Sequence, residues 1–149
     1  MSTATAALTI TPSAHPATEA ERVARMTNPG FGRVFTDHMV VIPYKNGAWQ
    51  TGELKAYGPL ALDPASSVLH YGQAIFEGFK AYHQKDGGLA TFRPEANGER
   101  FNQSAARLAM PAIPVELFVQ AADELIRMRQ GRGHAELVTA KQNTIGKLR

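Results

Sequence analysis

Ile75-Phe76-Glu77-Gly78-Phe79-Lys80-Ala81-Tyr82 is the run on which the fold of this chain turns. Successive side chains on a strand point to opposite faces, and the alternation here predicts a strand. Asp86-Gly87-Gly88 supplies a turn, and Leu89 to Arg93 returns as the partner strand of a hairpin. Pro94 then suits a first helical position, where its missing N–H would be unpaired anyway. Phe101, Ala105 and Leu108 stand at i, i+4 and i+7, one apolar helix face. Gly98 weakens that helix by ~1 kcal/mol relative to Ala. Pro111 to Pro114 breaks the run. Val115, Phe118, Val119, Ala122, Leu125 and Ile126 next form a 3.6-residue stripe, a second helix ending at Gly131.

Upstream of this block, Met39 to Tyr44 is a short β-type run. Lys45-Asn46-Gly47 supplies a hairpin turn, since Asn-Gly tolerates positive φ, and Ala48 to Leu54 returns as a strand. Pro59 to Ser67 reads as a loop with a short strand at Leu60 to Leu62. Residues 1–26 are rich in Ala, Thr, Ser and Pro without sustained periodicity and read as a flexible leader. Asn28-Pro29-Gly30 is a turn signal at the edge of the patterned region, residues 27–130. Antiparallel hairpins followed by two helices predict an α+β domain, its helices packed on one face of an antiparallel sheet.

The composition is that of a globular chain: 44% apolar and 19% charged, with seven Phe, four Tyr and one Trp. No apolar run approaches the length of a membrane span. The first residues lack a basic region followed by an apolar core, and a cytoplasmic setting is expected. Cysteine is absent, which excludes disulfides, thiolate metal sites and a Cys nucleophile. The pI of 9.4 raises nucleic-acid binding, but the basic excess is local. Residues 131–149 hold Arg132, Lys141, Lys147 and Arg149 against Glu136, a net of +3 that equals the net charge of the whole chain. The remainder balances twelve basic against twelve acidic groups, so no basic face for phosphates is expected there.

Taken by themselves, the residues carry few chemical signatures. The five histidines, at 15, 38, 70, 83 and 134, include no i, i+4 pair, and no metal site is expected. Gly30-Phe31-Gly32 is a lone GxG that follows no strand, so it is not a dinucleotide fingerprint. Asn102-Gln103-Ser104 matches a glycosylation sequon by coincidence in this context.

His70-Tyr71-Gly72-Gln73-Ala74-Ile75-Phe76-Glu77-Gly78-Phe79-Lys80-Ala81-Tyr82 resembles the signature of the branched-chain amino-acid aminotransferases, fold type IV enzymes that depend on pyridoxal 5'-phosphate. Phe31-Gly32 with Phe35-Thr36-Asp37-His38-Met39 is similar to that family's opening, and Gly58-Pro59-Leu60 with Leu62-Asp63-Pro64 to its next loop. Phe92-Arg93-Pro94, Asn97, Arg100 and Ser104-Ala105-Ala106-Arg107-Leu108 resemble its strand and following helix. The blocks occur in order and cover roughly residues 31–130. The resemblance implies the small amino-terminal domain of such an enzyme and transamination of leucine, isoleucine and valine with 2-oxoglutarate. It also implies amino-acid and 2-oxo-acid ligands and a homodimer.

The resemblance assigns Arg100 to the cofactor's phosphate, which a planar guanidinium can grip by two charge-assisted hydrogen bonds. Periodicity alone makes Arg100 an exposed helix arginine. Tyr71 and Phe76 match aromatic residues lining the substrate pocket, where burying an aliphatic side chain contributes about 1.5–3 kcal/mol; without the resemblance, both are plain packing residues. Glu77 reads either as an acceptor behind the pocket or as a hairpin or interface ion pair. Lys80 reads as a solvated or interface lysine and not as the Schiff-base lysine, which the resemblance places in a carboxy-terminal domain. Beyond Gln130 the likeness stops: residues 131–149 are expected to be a divergent tail, non-native in sequence or disordered, the carboxy-terminal domain with its lysine is expected to be absent, and no catalytic residue is assigned. Two other readings stay open. One is a sister fold type IV enzyme, a D-amino-acid transaminase or aminodeoxychorismate lyase. The other is a non-catalytic protein that binds the cofactor or pairs with an intact relative.

Overall fold

The computed structural model describes residues 8–30, 32–130 and 138–145. Its centre is the strand β6, Ala74–His83, where the deciding run was read. In chain order, β1 is Leu8–Ile10, α1 Glu19–Met26, β2 His38–Val41, β3 Tyr44–Lys45, β4 Ala48–Trp49 and β5 Gly52–Ala56. α2 is Ser67–Tyr71 and precedes β6; β7 is Leu89–Thr91, α3 Pro94–Arg107, α4 Val115–Gln130 and β8 Val138–Ile145. Both long helices and the β6–β7 hairpin lie where the periodicity puts them. The fold is α+β, as expected.

Alternation along β6 decides which side the helices cover. Ile75, Glu77, Phe79 and Ala81 are buried, whereas Phe76, Lys80 and Tyr82 are exposed. Against the buried set pack Phe101 and Ala105 of α3 and Leu117, Phe118, Ala122 and Ile126 of α4. Phe118 is the hinge of this core, with ring centroids 6.0 Å from Phe79 and 5.5 Å from Phe101. α3 and α4 approach closely at Gly98, where a Cβ would lie 3.2 Å from Val115 Cγ1 and 3.3 Å from Phe118 Cδ1. The glycine that weakens the helix locally is what lets the second helix dock. Asn102 holds the linker between them: its amide donates to the Ile113 carbonyl at 2.8 Å and accepts from the Ile113 N–H at 2.9 Å. The sequon asparagine is thus a structural clamp.

A second sheet runs β1-β5-β2, with Leu54 fully buried at its centre. β2 and β5 are antiparallel, and the small β3–β4 hairpin caps them through Asn46 and Gly47, both at positive φ. The two strands expected from Met39 to Leu54 are each interrupted. Pro43 cannot donate to a ladder, and the return strand carries one more residue than its partner between paired positions, a bulge. The Gln50 N–H donates to the Pro43 carbonyl at 2.8 Å across it. Trp49 ties this hairpin to the helical layer by donating its indole N–H to the Ala112 carbonyl at 2.8 Å.

Three stretches lie outside the main periodic elements. First, the leader expected over residues 1–26 contains β1 and α1, and residues 1–7 lie outside the described residues. β1 pairs parallel to β5, and α1 opens on a capping box in which Thr18 and Glu21 satisfy each other's backbone N–H groups. Buried His38 accepts the Ser13 N–H at 2.8 Å, which holds the segment between them. Second, within residues 131–149, β8 runs antiparallel to β6 from Ala74↔Ile145 to Ala81↔Val138; residues 131–137 and 146–149 lie outside the described residues. Third, Leu60 to Leu62 forms no strand, because Pro59 and the Asp63 turn leave too short a run to pair, and Leu60 and Leu62 are exposed.

Candidate functional site

Glu77 is the chemical centre of the described residues. Strand alternation turns it into the layer between β6 and α3, where its side chain is 4% exposed. A carboxylate so placed is costly unless donors surround it, and four N–H groups do. Arg100 donates its Nε–H to Oε2 at 2.7 Å and an Nη2–H to Oε1. The Asn97 amide and the Gly78 backbone N–H each donate to Oε1 at 3.0 Å. Asn97 and Arg100 are one helical turn apart on α3, so both reach the same strand position. Hydrogen bonding from Arg100 outweighs burial and lowers the Glu77 pKa to about 2. The same bond raises the Arg100 guanidinium above its ordinary range.

Arg100 itself is 64% exposed. Two of its five N–H donors go to Glu77, and among the described residues no hydrogen bond occupies Nη1. The edge facing Glu77 is fixed and the outer edge faces solvent, an arrangement that fits two oxygens of a phosphate. The pair thus works as a buried anchor carrying an exposed cationic fork.

Tyr71 and Phe76 sit elsewhere on the same scaffold. Tyr71 ends α2, 78% exposed, just before Gly72 turns the chain in the left-handed region. His70 beside it donates Nε2–H to the Pro64 carbonyl at 2.7 Å. Phe76 is 54% exposed on the face of β6 away from the helices, its ring lying over Gly78. Neighbours on a strand point to opposite faces, so Phe76 and the Glu77–Arg100 pair are approached from opposite sides of the sheet. A cavity beside α1, lined by Arg22, Met26, Phe35, Asp37, His38 and Leu125, shares no residue with Tyr71, Phe76 or Arg100. Nor does a groove along α4 lined by Val115, Glu116, Gln120 and Asp123. Lys80 is exposed. Among the described residues, no cluster of His, Asp and Glu could hold a metal ion, and no helix is long and apolar enough to cross a membrane.

Sequence reading left Glu77 between two roles and did not give Asn97 one. The signal was present, in the parity of Glu77 on its strand and the Asn97–Arg100 spacing on the helix. What joined them was the packing of α3 on β6, which periodicity does not specify.

Comparison with known proteins begins at the level of fold. A crystal structure from Corynebacterium glutamicum, of a protein assigned as an aminotransferase, superposes with a TM-score of 0.55 at 20% identity, over 74% of this chain and 42% of that one. The described architecture is therefore one that a solved structure shares. No protein-family model matches the chain. A Streptomyces coelicolor protein assigned as a branched-chain-amino-acid aminotransferase is 55% identical over 123 residues, 82% of this chain and 34% of the relative. The branched-chain-amino-acid aminotransferase of Mycolicibacterium smegmatis is 49% identical over 119 residues, 79% of this chain and 32% of the relative. By sequence the chain is a relative of the branched-chain-amino-acid aminotransferases, and it spans about a third of their length.

Proposed function

We propose that this chain contributes residues from both sides of its β6 sheet to the active site of a pyridoxal-phosphate-dependent branched-chain amino-acid transaminase. Arg100 anchors the cofactor's phosphate, while Tyr71 and Phe76 present aromatic surface to the aliphatic side chains of leucine, isoleucine and valine. The observation that carries the reading is the Arg100 fork, held on one edge by a buried carboxylate and open on the other, within a chain related to these enzymes. When bound, the cofactor supplies an electron sink for exchanging an amino group between an amino acid and a 2-oxo acid. This chain's own part is to bind and orient. Arg100 holds the phosphate end, and the aromatic pair favours apolar substrates by removing their surface from water. The lysine that would hold the cofactor covalently is assigned outside this chain. A homodimer, a cytoplasmic setting and a place in branched-chain amino-acid biosynthesis follow from the same reading.

Absorbance titration with pyridoxal 5'-phosphate and with pyridoxal tests it, followed by borohydride reduction and peptide mapping. The phosphorylated compound is expected to bind about tenfold more tightly than pyridoxal, a preference that Arg100→Ala removes. Reduction is expected to label exposed lysines without selecting one. Equal affinity for the two compounds overturns the role of Arg100. Selective reduction onto a single lysine overturns the assignment of that residue outside the chain.

A further inference from the structure

A guanidinium meant only to neutralise a buried carboxylate would be expected to follow it into the protein. Here the two partners have opposite exposures: the Glu77 side chain is 4% exposed and that of Arg100 64%. Arg100 reaches Glu77 through Nε and Nη2, the lateral edge of the guanidinium, which sets the ring-like plane of the group as well as its position. Glu77 cannot itself swing. Its Oε1 also receives the Asn97 amide and the Gly78 backbone N–H, and its Cα belongs to the central strand of the β7-β6-β8 sheet. The Asn97 amide also leans on the Gly78 carbonyl at 3.4 Å, so the carboxylate is braced from helix and strand together.

We propose that Glu77, braced by Asn97, is the positioning residue for Arg100, fixing its guanidinium plane so that the outer edge presents two N–H donors to a ligand's phosphate. This rests on the reading of Arg100 as the phosphate anchor. An unbraced arginine on a helix surface would lose rotamer freedom each time it bound an anion. The Glu77 clasp removes that cost in advance, at the expense of a negative charge beside the anion's seat.

Those two effects have opposite signs, and a Glu77→Gln substitution separates them. If the carboxylate acts only through its charge, removing it raises phosphate affinity. If it positions Arg100, removing it lowers affinity, since one side-chain oxygen and an amide cannot receive the lateral edge of a guanidinium. The measurement is NMR of the Arg100 Nε–Hε group in the full chain, titrated with inorganic phosphate, pyridoxal 5'-phosphate and pyridoxal. In the unsubstituted chain that signal is expected to resist solvent exchange and to shift with the two phosphates but not with pyridoxal. In E77Q the signal is expected to exchange rapidly, and phosphate affinity to fall about tenfold while the backbone amide spectrum stays folded. Should E77Q fail to fold, N97A carries the same expectation, with a smaller loss, because it removes one brace and leaves the charge. Affinity unchanged or raised in the folded variant overturns the positioning role while leaving Arg100 as the anchor. An Arg100 signal that no phosphate moves in the unsubstituted chain overturns the anchor and the positioning role with it.

Discussion

At the scale of the residue, Glu77 shows how one buried charge links stability to pH. Its carboxyl is held at about 2 in the folded chain against an ordinary 4.5, chiefly by the Arg100 hydrogen bonds. A depressed carboxylate pKa contributes stability that is full above the unfolded value and is lost as pH falls toward the folded one. The window therefore runs from about 4.5 down to about 2. Between pH 6 and pH 3 the unfolded chain takes up a proton that the folded chain refuses, a loss of about 2 kcal/mol. Urea unfolding followed by the fluorescence of Trp49, whose indole is tied to the Ala112 carbonyl, measures it. The unsubstituted chain is expected to lose about 2 kcal/mol more than E77Q over that interval, other carboxylates titrating alike in both. Equal losses would mean that the Glu77–Arg100 pair is no stronger folded than unfolded. At this scale the sequence showed Arg100 and Glu77 as separate possibilities. Their pairing was not legible, because it depends on which face of α3 meets β6.

Elements were read more successfully where periodicity was long. α3, α4 and the β6–β7 hairpin fall where the apolar spacing and the turn residues put them, since sixteen residues of α4 and ten of β6 repeat one pattern several times. Short elements escaped. α2 has five residues and no room for an amphipathic stripe, and β1 has three and exists only because β5 offers it an edge. α1 was missed although its capping box, Thr18 with Glu21, was present in the sequence, because the surrounding Ala, Thr and Pro masked it. Gly98 marks the limit of propensity. Replacing it with Ala should stabilise an isolated helix by ~1 kcal/mol. In the folded chain the new Cβ meets Val115 and Phe118, and Phe118 is 1% exposed with aromatic neighbours on two sides. Overpacking such a contact costs about 1–3 kcal/mol, so G98A is expected to destabilise the chain by about 1 kcal/mol net. A raised unfolding midpoint would show that α3 and α4 slide apart freely, and that the close approach is incidental.

Among the described residues, the β6 strand has a covered and an uncovered side. The helices bury one face of β6, while Phe76 and Tyr82 on the other face are each about half exposed, and Phe92 beyond β7 is 75% exposed. Each such aromatic gains about 1.5–3 kcal/mol if fully removed from water, so two or three together can drive association without any polar contact. Lys80, exposed between Phe76 and Tyr82, tempers this without dividing the surface, since a lysine stem can lie along apolar neighbours while its ammonium stays wet. The expected outcome is that the chain self-associates as its concentration rises, seen as a growing weight-average mass in sedimentation. The double substitution F76S/Y82S should weaken that association at least tenfold, roughly the loss of one aromatic's burial. Because these residues touch little of the core, the same substitutions should leave the urea midpoint within about 0.5 kcal/mol of its starting value. Stability lost together with association would place Phe76 and Tyr82 in the packed structure. A chain that stays monomeric at every concentration would show that the uncovered face of β6 is compatible with water, and that its aromatics wait for a ligand and not for a second copy.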